Sequence, residues 1–110
     1  MVTFVELPLF TEQITDLLED ADYARFQAEP LRWPDKGDVI AQSGGLRKVR
    51  MRLPGRGKSG GARVIYLHLP KDETIVLFYV YTKAQREDLS AEQLKRLRRA
   101  AEVIKKQFKP

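Results

Sequence analysis

Leu46-Arg-Lys-Val-Arg-Met-Arg-Leu53, then Arg63-Val-Ile-Tyr-Leu-His-Leu69, then Ile75-Val-Leu-Phe-Tyr-Val-Tyr81 is the stretch that decides the architecture. In the first run Val49, Met51 and Leu53 alternate with Lys48, Arg50 and Arg52, the period of two that sets side chains on opposite faces of a strand. One face packs and the other is cationic. In the second run Ile65, Leu67 and Leu69 share a face. The third run is apolar at every position, as expected of a central strand covered on both sides.

The flanking segments supply the punctuation. Pro54-Gly-Arg-Gly-Lys-Ser-Gly-Gly61 is a basic glycine-rich loop. It lacks the Gly-x-x-x-x-Gly-Lys-Ser/Thr spacing of a P-loop and leads into a strand where a P-loop leads into a helix. Lys71-Asp72-Glu73 reads as the turn of a hairpin, while Trp33-Pro34-Asp35-Lys36-Gly37-Asp38 and Ser43-Gly44-Gly45 are breaks before the first of the three strands. Further out, Thr3 to Leu7 reads as a short strand closed by Pro8. Phe10, Ile14, Leu17 and Leu18 then recur at helical spacing, and Asp22 is expected to cap a second helix carrying Tyr23, Phe26 and Leu31, which Pro30 kinks or ends. At the other end Ser90 and Gln93 form a capping box, followed by a stripe of Leu97, Ala101, Ile104 and Phe108. The expected order is a strand, two helices, a three-stranded antiparallel meander and a final helix, an α+β arrangement. Its length fits one domain over residues 1–110.

Charge is distributed unevenly. Residues 1–38 carry 3 Lys/Arg against 9 Asp/Glu, whereas residues 39–71 carry 8 basic residues and no acid. Such a one-signed segment is the electrostatic footprint of a partner rich in phosphate. There is no cysteine, so disulfides, thiolate metal sites and cysteine nucleophiles are excluded. The first residues lack the pattern of a signal peptide, and no apolar run is long enough to span a bilayer, so a cytoplasmic location without a membrane partner is expected.

The residues also narrow the chemistry. His68 is the only histidine, which rules out a pair of histidines working as acid and base, and it reads as structural. Asp72, Glu73, Glu87 and Asp88 sit at turns and a helix start, a poor arrangement for magnesium. What remains is cationic chemistry. Lys and Arg held by a sheet bind phosphate oxygens and stabilise a phosphorane-like transition state, with no metal or cofactor called for.

Gly44-Gly-Leu-Arg-Lys-Val-Arg50, Gly57-Lys-Ser-Gly-Gly-Ala-Arg-Val-Ile-Tyr66, and Tyr81-Thr-Lys83 followed by Asp88-Leu-Ser90 resemble the RelE/HigB toxins of type II toxin–antitoxin systems. The likeness is greatest to the HigB-like branch with an elongated glycine-rich loop, and it extends over nearly the whole chain. It implies a RelE-like antiparallel sheet packed with two N-terminal helices and one C-terminal helix. It also implies a metal-independent endoribonuclease that cuts mRNA in the ribosomal A site by attack of the ribose 2′-hydroxyl on the adjacent phosphate. The resemblance carries catalytic roles to Lys48, Arg50, Arg63 and Lys83. A lysine enclosed among like charges gives up its proton more readily, which suits Lys48 and its neighbours to supply the base, and the fork of Arg63 suits a phosphate clamp. Arg47, Arg52, Arg56, Lys58 and Arg86 are the candidates for contact with RNA or ribosome. The implied partners are the ribosome, mRNA and a cognate antitoxin, of a helix-turn-helix, HigA-like type.

Two positions depart from the family pattern. Ala84 stands where an arginine acid is expected, and Ser90 where a tyrosine is expected, so the general acid is unassigned, with Arg86 as a substitute. Two other readings stay open: a non-catalytic toxin on the same scaffold, such as one directed at gyrase in the manner of ParE, and a module that binds RNA without cutting it.

Overall fold

The computed structural model describes residues 2–54, 61–85 and 88–108. Five strands form one mixed sheet: β1 (Thr3–Glu6), β2 (Asp38–Val39), β3 (Arg47–Met51), β4 (Ala62–Leu69) and β5 (Thr74–Thr82), in the order β1-β5-β4-β3-β2. The three runs quoted first are the antiparallel meander β3-β4-β5. Two strands are added at its edges. β1 pairs with β5 in parallel, Thr3 opposite Thr74, and the two-residue β2 pairs antiparallel with the start of β3. The sheet is therefore not wholly antiparallel. Its β1–β5 pair is parallel because the chain crosses back only after helices α1 (Pro8–Leu17) and α2 (Asp20–Ala28).

One face of the sheet is covered by α1 and α2, the other by α3 (Ala91–Gln107). On the first, Phe10, Ile14 and Phe26 pack with Val49, Met51, Val64, Tyr66 and Leu77. On the second, Ala101 and the half-buried Leu97 and Ile104 pack with Ile65, Leu67, Val76, Phe78 and Tyr81. Each large apolar side chain removed from water in this way contributes about 1.5–3 kcal/mol. β5 lies between the two layers, which accounts for its unbroken apolar run. Its register with β4 slips between Ile65 and Tyr66, where Phe78 is the extra residue. The bulge reverses the alternation, so Ile75, Leu77 and Val80 face the N-terminal helices while Val76, Phe78 and Tyr81 face α3. Past the end of β1 the Val80 N–H donates to Gln13 Oε1 at 2.9 Å, satisfying a strand donor with a helix side chain.

Local signals explain most boundaries. The Ser90 Oγ accepts from the Gln93 N–H at 3.1 Å and the Gln93 Oε1 from the Ser90 N–H at 2.9 Å, the expected capping box of α3. α2 starts earlier than expected. Glu19 occupies its N-cap position and Asp22 lies inside the first turn, where its charge complements the helix dipole. The helix ends at Ala28, before Pro30, and residues Pro30–Arg32 form a short 3-10 turn that buries Leu31. The Tyr23 hydroxyl donates to Glu6 Oε2 at 2.7 Å, and burial followed by this carboxylate pushes the phenol far up. Among the described residues no helix is long and apolar enough to cross a membrane.

Candidate active site

β2 covers β3 only at Arg47 and Lys48, so from Val49 onward β3 is the edge of the sheet. Against this edge lies an open groove of about 450 Å³. Lys48, Arg50 and Arg63 line it from the sheet; Lys36 and Gly37 line it from the loop before β2 and Asp38 from the start of β2. The strand register brings the three cations together. Arg50 stands opposite Arg63 across the β3–β4 ladder, and Lys48 stands opposite Ile65 on the same face. Directly opposed like charges destabilise a sheet pair. Among the described residues neither guanidinium has an ion-pair partner, so this repulsion is left uncompensated. A bound anion between the two guanidinium groups would relieve this repulsion.

Lys48 does have a partner. Its Nζ lies 3.6 Å from Asp88 Oδ1, just ahead of α3. The Asp88 carboxyl is held below its usual range first by the Leu89 N–H, which donates at 2.8 Å, then, against some desolvation, by Lys48 and the Tyr81 hydroxyl. Tyr81 pairs with Arg63 across β4–β5 and reaches Asp88 Oδ1 at 3.4 Å. Sequence reasoning quoted both residues but gave neither a role. The bulge at Phe78 turns Tyr81 toward this face, and nothing in an all-apolar run signals a bulge.

The opposite wall is held by a network on the other side of the sheet edge. The buried Tyr66 hydroxyl donates to the Pro34 carbonyl at 2.6 Å and accepts from the Gly37 N–H at 3.0 Å. Arg47 points to that side, donating to the carbonyls of Asp35 at 3.1 Å and Gly37 at 2.8 Å. His68 Nδ1 lies 2.8 Å from Asp35 Oδ1, and this contact, against desolvation and with help from the charges of His68 and Arg47, lowers the Asp35 carboxyl's pKa. Gly37 is required here. A Cβ on it would come within 2.7 Å of the Tyr66 hydroxyl and 2.9 Å of the Lys48 carbonyl.

The structure thus gathers Lys48, Arg50 and Arg63, and leaves Arg47, Arg52 and Lys83 elsewhere. Arg47 is engaged with the loop on the far face. Arg52 lies past the end of β3 and lines a neighbouring hollow of about 410 Å³ with Arg25, Glu29 and Pro54. Lys83 is exposed in the turn after β5, whose Gln85 side chain and backbone bond back to Thr82. Arg56, Lys58 and Arg86 fall outside the described residues. Lys36 joins the groove although the sequence offered it only as part of a turn. Among the described residues no three His, Asp or Glu side chains gather as a metal site.

Residues 34–109 match the family model for the RelE toxin of the RelE/RelB toxin–antitoxin system. The chain belongs to the RelE toxin family. Membership makes it the toxin of such a pair, with an antitoxin as its partner. A solved structure of E. coli toxin RelE, a double mutant in the free state, aligns with it at a TM-score of 0.57. That alignment has 16% sequence identity and covers 87% of this chain and 97% of that one, which shows a shared fold.

Proposed function

We propose that this RelE-family toxin is a ribosome-dependent endoribonuclease that cleaves mRNA and so stops translation. The observation that carries the reading is the cationic cluster Lys48-Arg50-Arg63 on one face of the β3–β4 edge, in which only Lys48 has an acidic partner among the described residues, lining a groove open to a chain of phosphates. In this scheme Lys48 parts from Asp88 as RNA enters, gives up its ammonium proton to solvent among the neighbouring cations, and as the neutral amine takes the proton of the ribose 2′-hydroxyl. The 2′-oxygen bonds to phosphorus, the bond to the 5′-oxygen breaks, and the products are a 2′,3′-cyclic phosphate and a 5′-hydroxyl. Arg50 and Arg63 hold the non-bridging oxygens as charge builds on them, which is worth about 3–4 kcal/mol for a preorganised donor. The proton for the leaving 5′-oxygen comes from a separate donor. Lys83 and Arg86 are the candidates.

Lys36 and Arg52 extend the positive surface along the RNA or the ribosome, the contact to which the sequence also assigns Arg56, Lys58 and Arg86, and work in the cytoplasm follows from such a target. The antitoxin then neutralises the toxin by laying acidic or bulky groups over the groove, and a helix-turn-helix protein of HigA type fits the HigB-like loop. Arrested mRNA in a purified translation reaction, mapped by toeprinting, tests the proposal. Cleavage inside A-site codons supports it. Intact message with arrested DNA supercoiling favours a gyrase-directed toxin, and intact message with RNA bound favours a binding module.

A further inference from the structure

Trp33 is 65% exposed, although a tryptophan left this far in water forfeits much of the largest apolar side chain there is. Its backbone is tied into the sheet. The Lys36 N–H donates to the Trp33 carbonyl at 2.9 Å, closing a turn whose far end lines the groove. The same turn is tied to the sheet through Pro34, Asp35 and Gly37 by Tyr66, Arg47 and His68. The Arg32 guanidinium lies 5.5 Å from the centre of the indole ring. Asp35, the acid within the turn, is engaged by Arg47 and His68, and the charge seated at the indole is that of Arg32.

We infer that Trp33 is a stacking platform for a nucleobase of the RNA whose backbone lies along the Lys48-Arg50-Arg63 groove. A flat aromatic face with a guanidinium against it, carried on a tied-down turn that runs into a cationic groove, is the arrangement that takes single-stranded nucleic acid, the base on the ring and the phosphates on the cations. The tied-down turn matters because little backbone freedom remains to be lost on binding. The inference rests on the RNA-cleavage reading and adds to it where a base is received. A protein partner at the same ring is the alternative, and the cationic surround favours RNA.

Trp33 is the chain's one tryptophan, so its emission reports on the site alone. The full-length toxin is titrated at low salt with a 2′-O-methyl RNA hexanucleotide, which cannot undergo 2′-hydroxyl attack, and with an abasic chain of equal length. Binding of each is followed by anisotropy of an end label. The hexanucleotide is expected to quench the emission and the abasic chain to bind without quenching. Trp33→Ala is expected to weaken hexanucleotide binding on the order of tenfold, Trp33→Phe less than threefold, and neither to change the abasic affinity. Hexanucleotide binding that is absent or leaves the emission unchanged, or equal quenching by the abasic chain, overturns the inference. So does an unchanged RNA affinity in Trp33→Ala, including a case where that variant instead loses affinity for the antitoxin. Cleavage in the translation reaction is scored apart: a wild type that cuts message but shows no base-dependent quenching refutes the platform and leaves the nuclease reading standing.

Discussion

Replacing Tyr66 with phenylalanine keeps the ring and removes one oxygen that makes two hydrogen bonds. The ring is fully buried, so packing is unchanged, but the Gly37 N–H loses its acceptor and the Pro34 carbonyl its donor. Gly37 is itself buried, and an orphaned buried backbone group costs about 1–3 kcal/mol; Pro34 is only half-buried, so water recovers part of its loss. The expected destabilisation is about 2–3 kcal/mol, a large fraction of the roughly 5–15 kcal/mol that holds a small domain together. At about 4–8 °C per kcal/mol this lowers the melting temperature by roughly 10–20 °C. Thermal melts by circular dichroism measure it, and amide exchange at Gly37 localises it. A shift under about 3 °C with unchanged protection at Gly37 refutes the view that Tyr66 pins this loop. Gly37→Ala is the companion test: its Cβ would meet the Lys48 carbonyl at 2.9 Å, a backbone atom that cannot rotate away, so the wall must move.

Arg63→Ala is expected to abolish toxicity with the fold intact, a loss of a hundredfold or more in cleavage rate, whereas Arg98→Ala, exposed on α3, changes it less than about fivefold; growth after induction, with circular dichroism as control, separates them. Asp88→Asn frees Lys48 and removes a negative charge from the groove edge. RNA should bind up to about fivefold more tightly, the scale of an exposed ion pair, as read by anisotropy, and weaker binding counts against the groove. Because the folded state lowers the Asp88 pKa, its stabilising contribution is present above the ordinary carboxylate range and fades as pH falls through that lowered value; the wild type should lose this increment in acid melts and Asp88→Asn should not. Co-expression with the neighbouring antitoxin gene should yield a stable complex and restore growth, and a toxin that purifies alone from such cells contradicts the expected cover of the groove.

The strands that carry the cations were legible because alternation in Leu46–Leu53 reports a half-buried strand regardless of its neighbours, and Val49, Met51 and Leu53 are indeed buried while Arg50 and Arg52 are exposed. α3 was legible through its local capping box. β2 was not, since two residues after a glycine show no period. Nor was the parallel β1–β5 pair, which depends on a crossover of two helices. The bulge at Phe78 was hidden because an all-apolar strand has no alternation to break. At the site, charge counting found the basic segment but not which cations converge. Arg47 and Lys48 are adjacent in sequence and point to opposite faces, one tied to Asp35 and one lining the groove. Lys36 and Tyr81 came into the site through turn and bulge geometry that only the folded chain displays.

The decisive measurement is the chemistry of the RNA ends produced when the toxin acts on a programmed ribosome in a purified translation system. A cut within the A-site codon leaving a 2′,3′-cyclic phosphate upstream and a 5′-hydroxyl downstream, lost in Arg63→Ala, is the expected result. Ends bearing a 3′-hydroxyl and a 5′-phosphate contradict attack by the 2′-oxygen, and message that stays whole while the folded toxin arrests growth contradicts cleavage altogether.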